Sequence, residues 1–200
     1  MVNRKVIWID ERTSDYIDRP WDFSDAFTQR EVDLVVCGEG ATQSMIPRAA
    51  ECNRRFKRAL DEIFANGSEA EVIGFIVDVN MALDSLGTYS NSGDMRGVNL
   101  EDGTYTGYKI AQYVLANERR NLSPYGNAFA EKPILFLSVS PFHRDMHNRW
   151  MGDAYVDCTS DSRFAKYSHL QKTFLKKEIR SQMKAWIDYI VSLERGPVDD

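Results

Sequence analysis

Two short hydrophobic runs end on acidic residues, and this pattern limits most strongly the folds that the chain can adopt. The first run covers residues 6–9 and ends on Asp10-Glu11, and the second covers residues 72–77 and ends on Asp78. Both runs are apolar and branched, as in strands buried on both faces of a parallel sheet. The carboxyl ends of such strands meet at one edge, where ligands bind. Because three clustered carboxylates repel one another, we expect a Mg²⁺ ion among them.

The rest of the chain alternates between helix-like and strand-like patterns. Apolar residues recur at spacings of three and four over residues 49–64 and 108–115, which indicates helices. Strands that alternate with helices build βαβ units. We therefore predict an α/β fold with a five-stranded parallel sheet. The predicted strands cover residues 6–9, 32–37, 72–77, 134–137 and 154–156.

Size and composition favour a single cytoplasmic domain over residues 1–200. The net charge of −5 argues against nucleic acid as a partner. Cys37, Cys52 and Cys158 form no CxxC pair, which is typical of a reducing compartment. The amino terminus lacks the apolar stretch of a signal peptide, and we find no run of about 20 apolar residues that would span a membrane.

Residues 82–106 contain turn chemistry without periodicity. Ser90-Asn91-Ser92-Gly93 is typical of this segment. We predict a long loop insertion, which begins four residues after Asp78.

The carboxyl-terminal segment carries one long apolar stripe, which predicts an extended helix over residues 170–194. Two interpretations of this helix remain open. It is the final helix of the core, or its distal half packs on a partner, which would permit a homodimer. In the second interpretation the contact centres on Trp186 and Ile190.

Several segments, in order along the chain, resemble response-regulator receiver domains, in a divergent and stand-alone form. Residues 5–11 resemble the first strand and its acidic pair, and Asp78-Val79-Asn80-Met81 is close to the phosphoacceptor strand end of the chemotaxis regulators. Residues 102–107 resemble the Asp-Gly segment that opens the third helix. Residues 133–138 and 152–156 resemble the fourth and fifth strands.

The resemblance implies a flavodoxin-like topology, with five parallel strands and helices on both faces, and a function in two-component signalling. Asp78 would accept a phosphoryl group, and Mg²⁺ would be held by Asp10, Glu11, Asp78 and the main-chain carbonyl of Asn80. The Ser138 hydroxyl would donate to a phosphoryl oxygen. Such a domain is not an enzyme. It takes phosphate from a histidine kinase or phosphotransfer protein and acts on a downstream protein by contact. A one-residue shift in the match leaves Asp10 as the only acid of the pair.

One residue of the family has no clear counterpart. The family has a lysine at the end of its fifth strand, and matching Tyr155-Val156 to that strand places Cys158 there. Lys166 or Lys172 would have to reach the site from farther along the chain. Without such a lysine, the chain would be a pseudo-receiver, an interaction module that signals without phosphate.

A third interpretation is a Mg²⁺-dependent phosphohydrolase. Asp78 would be its nucleophile beneath the long loop. Such an enzyme needs a general acid or base, for which the loop offers Glu101 and Asp102.

Overall fold

The computed structural model describes eight segments of the chain, and the structural statements below concern these segments. They are residues 3–10, 24–37, 45–79, 106–116, 123–138, 155–157, 164–171 and 176–194.

A six-stranded, wholly parallel sheet forms the centre of the molecule. Its strands are β1 (Arg4–Ile9), β2 (Val32–Cys37), β3 (Val72–Asp78), β4 (Ile134–Ser138), β5 (Tyr155–Asp157) and β6 (Tyr167–Gln171). They lie in the order β2-β1-β3-β4-β6-β5. The middle strand, β3, is buried along its whole length, as its apolar sequence predicts.

Helices cover both faces of this sheet. They are α1 (Ser24–Thr28), α2 (Met45–Ala65), α3 (Thr106–Lys109) with its π-helical continuation Ile110–Leu115, and α4 (Lys176–Glu194). Helices α2 and α3 share one buried cluster with the sheet, and α1 and α4 share the other. A single turn of 3₁₀ helix, Glu69–Glu71, precedes β3. The described helices include none long and apolar enough to cross a membrane.

The strand order confirms the predicted fold class and corrects one strand. β2, β1, β3 and β4 follow the flavodoxin-like order, and helices lie on both faces as expected. All five predicted strands are observed, and the sheet has a sixth strand, β6, that the prediction did not include: β6, and not the predicted strand at 154–156, lies beside β4. That predicted strand is observed as β5, and it pairs only with β6.

Strand β6 escaped prediction because its sequence is largely polar. Ser168 and His169 are nevertheless buried, since β6 lies between two other strands. The Ser168 hydroxyl donates to the Ala165 carbonyl and accepts from the Ala165 amide. These local bonds satisfy a buried polar group that would otherwise destabilise the fold.

The apolar stripe of α4 belongs to the protein's own core. The helix begins at Lys176, six residues later than predicted, because residues 170 and 171 belong to β6. Trp186 and Ile190 are 0% and 1% exposed. The interpretation as a final core helix is therefore confirmed, and packing of Trp186 and Ile190 on a partner was wrong. A homodimer through another part of the helix stays a prediction.

Charged side chains hold α4 against α1 at the edge of this core. Arg30 makes two bonds to the Asp188 carboxylate, of 2.5 and 2.7 Å, and Arg180 bonds Asp25. The bond from Arg30 lowers the pKa of Asp188 below its ordinary value. Arg30 is partly exposed and Asp188 is largely exposed, so the ion pair between them orients α4 more than it stabilises the fold.

Replacing Trp186 tests whether the α4 stripe is core. We expect Trp186→Ala to lower the free energy of unfolding by about 3–5 kcal/mol, because it empties a closed apolar site. The control is Leu193→Ala, at a side chain that is 52% exposed; we expect a change within about 0.5 kcal/mol. Chemical denaturation measures both variants, and equal stabilities would contradict this assignment.

Candidate functional site

Three of the predicted site residues lie at the ends of neighbouring strands, at the carboxyl edge of the sheet. Asp10 directly follows β1, Asp78 ends β3 and Ser138 ends β4, and these strands are neighbours. Trp8 and Ile76 are partners across β1 and β3. Because side chains alternate along a strand, the residues two positions farther on, Asp10 and Asp78, leave the sheet on the same face. The register therefore places both carboxylates at neighbouring strand ends on one face of the sheet. Ser138 ends the next strand, one residue beyond Leu137, the strand partner of Asp78.

All three of these side chains are buried. Asp10 is 0%, Asp78 5% and Ser138 4% exposed. Aspartates are rarely buried so completely without charged or hydrogen-bonding partners. Two neighbouring buried carboxylates are a fitting environment for a hard divalent cation, which takes oxygen ligands.

The other two predicted ligands, Glu11 and Asn80, lie outside the described residues. Within the described segments, no group of three or more acidic, histidine or cysteine side chains could hold a metal ion. The described part of the site thus supplies Asp10 and Asp78, and the complete ligand set stays a prediction.

Main-chain contacts fix the peptide that follows Asp78. The Val79 amide donates to the Leu137 carbonyl at 2.9 Å, and the Gly107 amide donates to the Val79 carbonyl at 3.1 Å. A Cβ atom at Gly107 would overlap the Asp78 carbonyl oxygen and lie 2.9 Å from the Val79 Cα. The start of α3 therefore packs directly on the main chain of the candidate site.

This contact refines the predicted Asp-Gly segment. The helix begins at Thr106, and the glycine beside Asp78 is Gly107. Asp102 and Gly103, which carried the resemblance, lie outside the described residues, as does Glu101. Sequence reasoning included Gly107 in the segment 102–107 but missed its role, because a contact between residues far apart in the chain leaves no local pattern.

Two buried cysteine side chains, Cys37 and Cys52, lie near the carboxyl end of β1. The Cys52 thiol donates to the Asp10 carbonyl at 3.7 Å, and Cys37 is the strand partner of Ile9. Burial raises the pKa of Cys37 to about 12, against the opposing charges of Arg55 and Arg58. A thiol with so high a pKa is protonated at neutral pH and acts as a packing group.

The observed strand order changes which lysine is the best candidate to replace the family's fifth-strand lysine. β6 lies beside β4, and its last residue, Gln171, is the strand partner of Ser138. The next residue in the chain is Lys172, which lies outside the described residues. Cys158, which the resemblance had placed here, follows the edge strand β5 instead and is also outside them. Lys172 is therefore the better candidate.

Lys166 lies at the opposite edge of the sheet. It precedes β6, and its carbonyl accepts from the Ile134 amide at the start of β4, at 2.7 Å. Its ammonium nitrogen lies 4.0 Å from a carboxylate oxygen of Glu131. Lys166 therefore cannot reach the candidate site at the carboxyl edge. Of the two residues predicted to replace the family's lysine, Lys172 remains.

Comparisons with known proteins found a likeness in fold but none in sequence. No known protein-family profile and no curated protein matches the sequence. The fold is similar to the crystal structure of a response regulator from Desulfuromonas acetoxidans, with 12% identity and a TM-score of 0.42 over 93% of this chain and 98% of that one. The flavodoxin-like assignment rests on the strand order and register described above.

A metal titration tests the paired carboxylates. We expect Mg²⁺ at about 100 times its Kd to raise the free energy of unfolding of the wild type by about 2.7 kcal/mol, because the cation binds only the folded site. Asp10→Asn removes one charged ligand and should abolish this gain. Asp33→Asn, at an exposed position of the edge strand β2, is the control and should retain it. Thermal unfolding measures all three proteins, and equal gains in all of them would contradict the site.

Proposed function

We propose that this chain is a receiver domain that accepts a phosphoryl group on Asp78 and signals by protein contact. The observation that supports this best is that two buried carboxylates, Asp10 and Asp78, and the buried Ser138 side chain lie at the ends of three adjacent strands. Phosphoryl transfer requires positioning and neutralisation of charge more than covalent machinery, and these groups suit that task.

The proposed transfer balances without a further reactant. A carboxylate oxygen of Asp78 attacks the phosphorus of the donor and forms a new O–P bond. The P–N bond of a phosphohistidine, or the P–O bond of a small phosphodonor, breaks, and its electron pair leaves with the departing group. The product is an aspartyl phosphate, whose added charge can change the surface that a partner contacts.

The remaining site residues position and neutralise the phosphoryl group. Asp10, Glu11, Asp78 and the Asn80 carbonyl would hold Mg²⁺, which supplies positive charge beside the phosphoryl oxygens. The Ser138 hydroxyl donates a hydrogen bond to one of those oxygens. Lys172, which directly follows Gln171 in the chain, would supply a second positive charge.

The proposed partners are a histidine kinase or phosphotransfer protein as donor and a downstream protein as receiver of the signal. The apolar stripe of α4 is buried and cannot be the output surface. Two alternatives, the pseudo-receiver and the Mg²⁺-dependent phosphohydrolase, differ from the proposal in what happens to phosphate, so one assay separates them.

Intact-mass measurement after incubation with Mg²⁺ and a small phosphodonor tests the proposal. We expect the wild type to gain the mass of one phosphoryl group and Asp78→Ala to gain none, because the variant lacks the nucleophile. Asp33→Ala, at an exposed aspartate, should behave as the wild type does.

Each alternative has its own result in this assay. A protein that gains no mass with any donor and binds no Mg²⁺ is a pseudo-receiver. A protein that releases phosphate from a phosphoester through many turnovers, in a reaction abolished by Asp78→Ala, is a hydrolase.

The two lysines near β6 provide a matched pair of variants. Lys172→Ala should lower the yield of the phosphoryl adduct about tenfold, because a charge-assisted hydrogen bond to the phosphoryl group is lost. Lys166→Ala, at the opposite edge, should leave the yield unchanged. The same intact-mass assay measures both variants. An unchanged yield in Lys172→Ala would exclude this lysine from the site.

A further inference from the structure

The first turn of α3 lies closer to the candidate site than a side chain would allow. Gly107 approaches so nearly that any Cβ atom would overlap the Asp78 carbonyl oxygen and lie 2.9 Å from both the Asp78 carbonyl carbon and the Val79 Cα. Backbone atoms cannot move aside as a flexible side chain can. A methyl group at position 107 must therefore displace the start of α3, the end of β3, or both.

The contact is polar as well as steric. The Gly107 amide donates to the Val79 carbonyl, and the Val79 amide donates to the Leu137 carbonyl of β4. The peptide after Asp78 is thus bonded on one side to α3 and on the other to β4. Two further residues extend the contact, since the ring of Tyr108 meets the edge of Phe136 with ring centroids 4.8 Å apart.

We propose that Gly107 is a positioning residue for the reaction at Asp78. It touches the main chain of Asp78 and holds the carboxylate in place through that contact, without taking part in the chemistry itself. The inference rests on the proposed function, which supplies the reaction. It adds that the geometry of the site depends on how α3 is seated, and not on the strand ends alone.

A second glycine, Gly74 in β3, provides the matched control. A Cβ atom at Gly74 would lie 3.2 Å from the Pro133 carbonyl oxygen and from the Trp186 ring, and 3.4 Å from the Ile190 side chain. Gly74 is therefore also crowded, but it lies four residues from Asp78 and on the face covered by α4. Adding a methyl group at either position should destabilise the fold, whereas the site should respond only at position 107.

The experiment compares Gly107→Ala and Gly74→Ala in the full chain, at a temperature where both are folded. We expect the Kd for Mg²⁺ to rise about tenfold in Gly107→Ala and to stay within about twofold of the wild type in Gly74→Ala. The rate of phosphoryl-adduct formation should follow the same order. In the metal-free protein, the carboxyl ¹³C chemical shift of Asp78 should change in Gly107→Ala alone.

If Gly107→Ala does not fold, a gentler pair of variants replaces it. Tyr108→Leu loosens the start of α3 without adding volume, and should raise the Kd for Mg²⁺ about threefold. Tyr113→Leu, in the π-helical part of the same helix, should leave this Kd unchanged.

The possible outcomes separate the two proposals. Suppose that Gly107→Ala folds, or that Tyr108→Leu replaces it. If the variant then matches the wild type in Mg²⁺ affinity and adduct formation, the positioning role is overturned and the proposed function stays intact. A wild type that takes no phosphate overturns the function. In that case the carboxyl ¹³C chemical shift of Asp78 still tests whether Gly107 positions this side chain. The positioning role fails if Gly107→Ala and Gly74→Ala give the same shift.

Discussion

Parallel pairing of β1, β3 and β4 is the constraint on which the candidate site depends. In register, Ile9 lies beside Val77, and Asp78 lies beside Leu137. Because all three strands run in one direction, their last residues reach the same edge, and a shift of one residue would turn a carboxylate to the other face. The apolar residues that hold the strands in register therefore also determine which polar groups meet.

The two faces of the sheet contribute differently to that edge. On one face, Cys52 of α2 contacts the Asp10 carbonyl and Gly107 of α3 contacts the Asp78 main chain. On the other face, α1 and α4 bury the indole of Trp186 and are joined by the ion pair of Arg180 with Asp25. Direct contacts with the backbone of the site thus come from the α2–α3 face, whereas the α1–α4 face supplies hydrophobic stability.

The parts of the structure that follow from local sequence were predicted correctly. Apolar runs identified four of the flavodoxin-like strands, because a fully buried strand must be apolar throughout, and two of these strands, β1 and β3, lead into Asp10 and Asp78. Strand β6 could not be found in this way. Its burial comes from its neighbours, and Ser168 is tolerated there only because Ala165 satisfies its hydroxyl. Periodicity identified α4 as amphipathic, yet it does not reveal whether the covering surface is the protein's own sheet or a partner.

The hydrogen bond between Val79 and Gly107 also has a consequence for how this fold can vary. It joins the two ends of the intervening stretch, residues 80–105, at a single point of the framework. The entropy lost in closing a flexible loop grows only with the logarithm of its length, so that doubling the length costs about 0.6 kcal/mol. A chain of this kind can therefore gain or lose many residues at this point for little free energy, while the anchored ends leave the strand framework unchanged. The junction is a natural place for homologous proteins to differ in length, and for a foreign segment to be grafted.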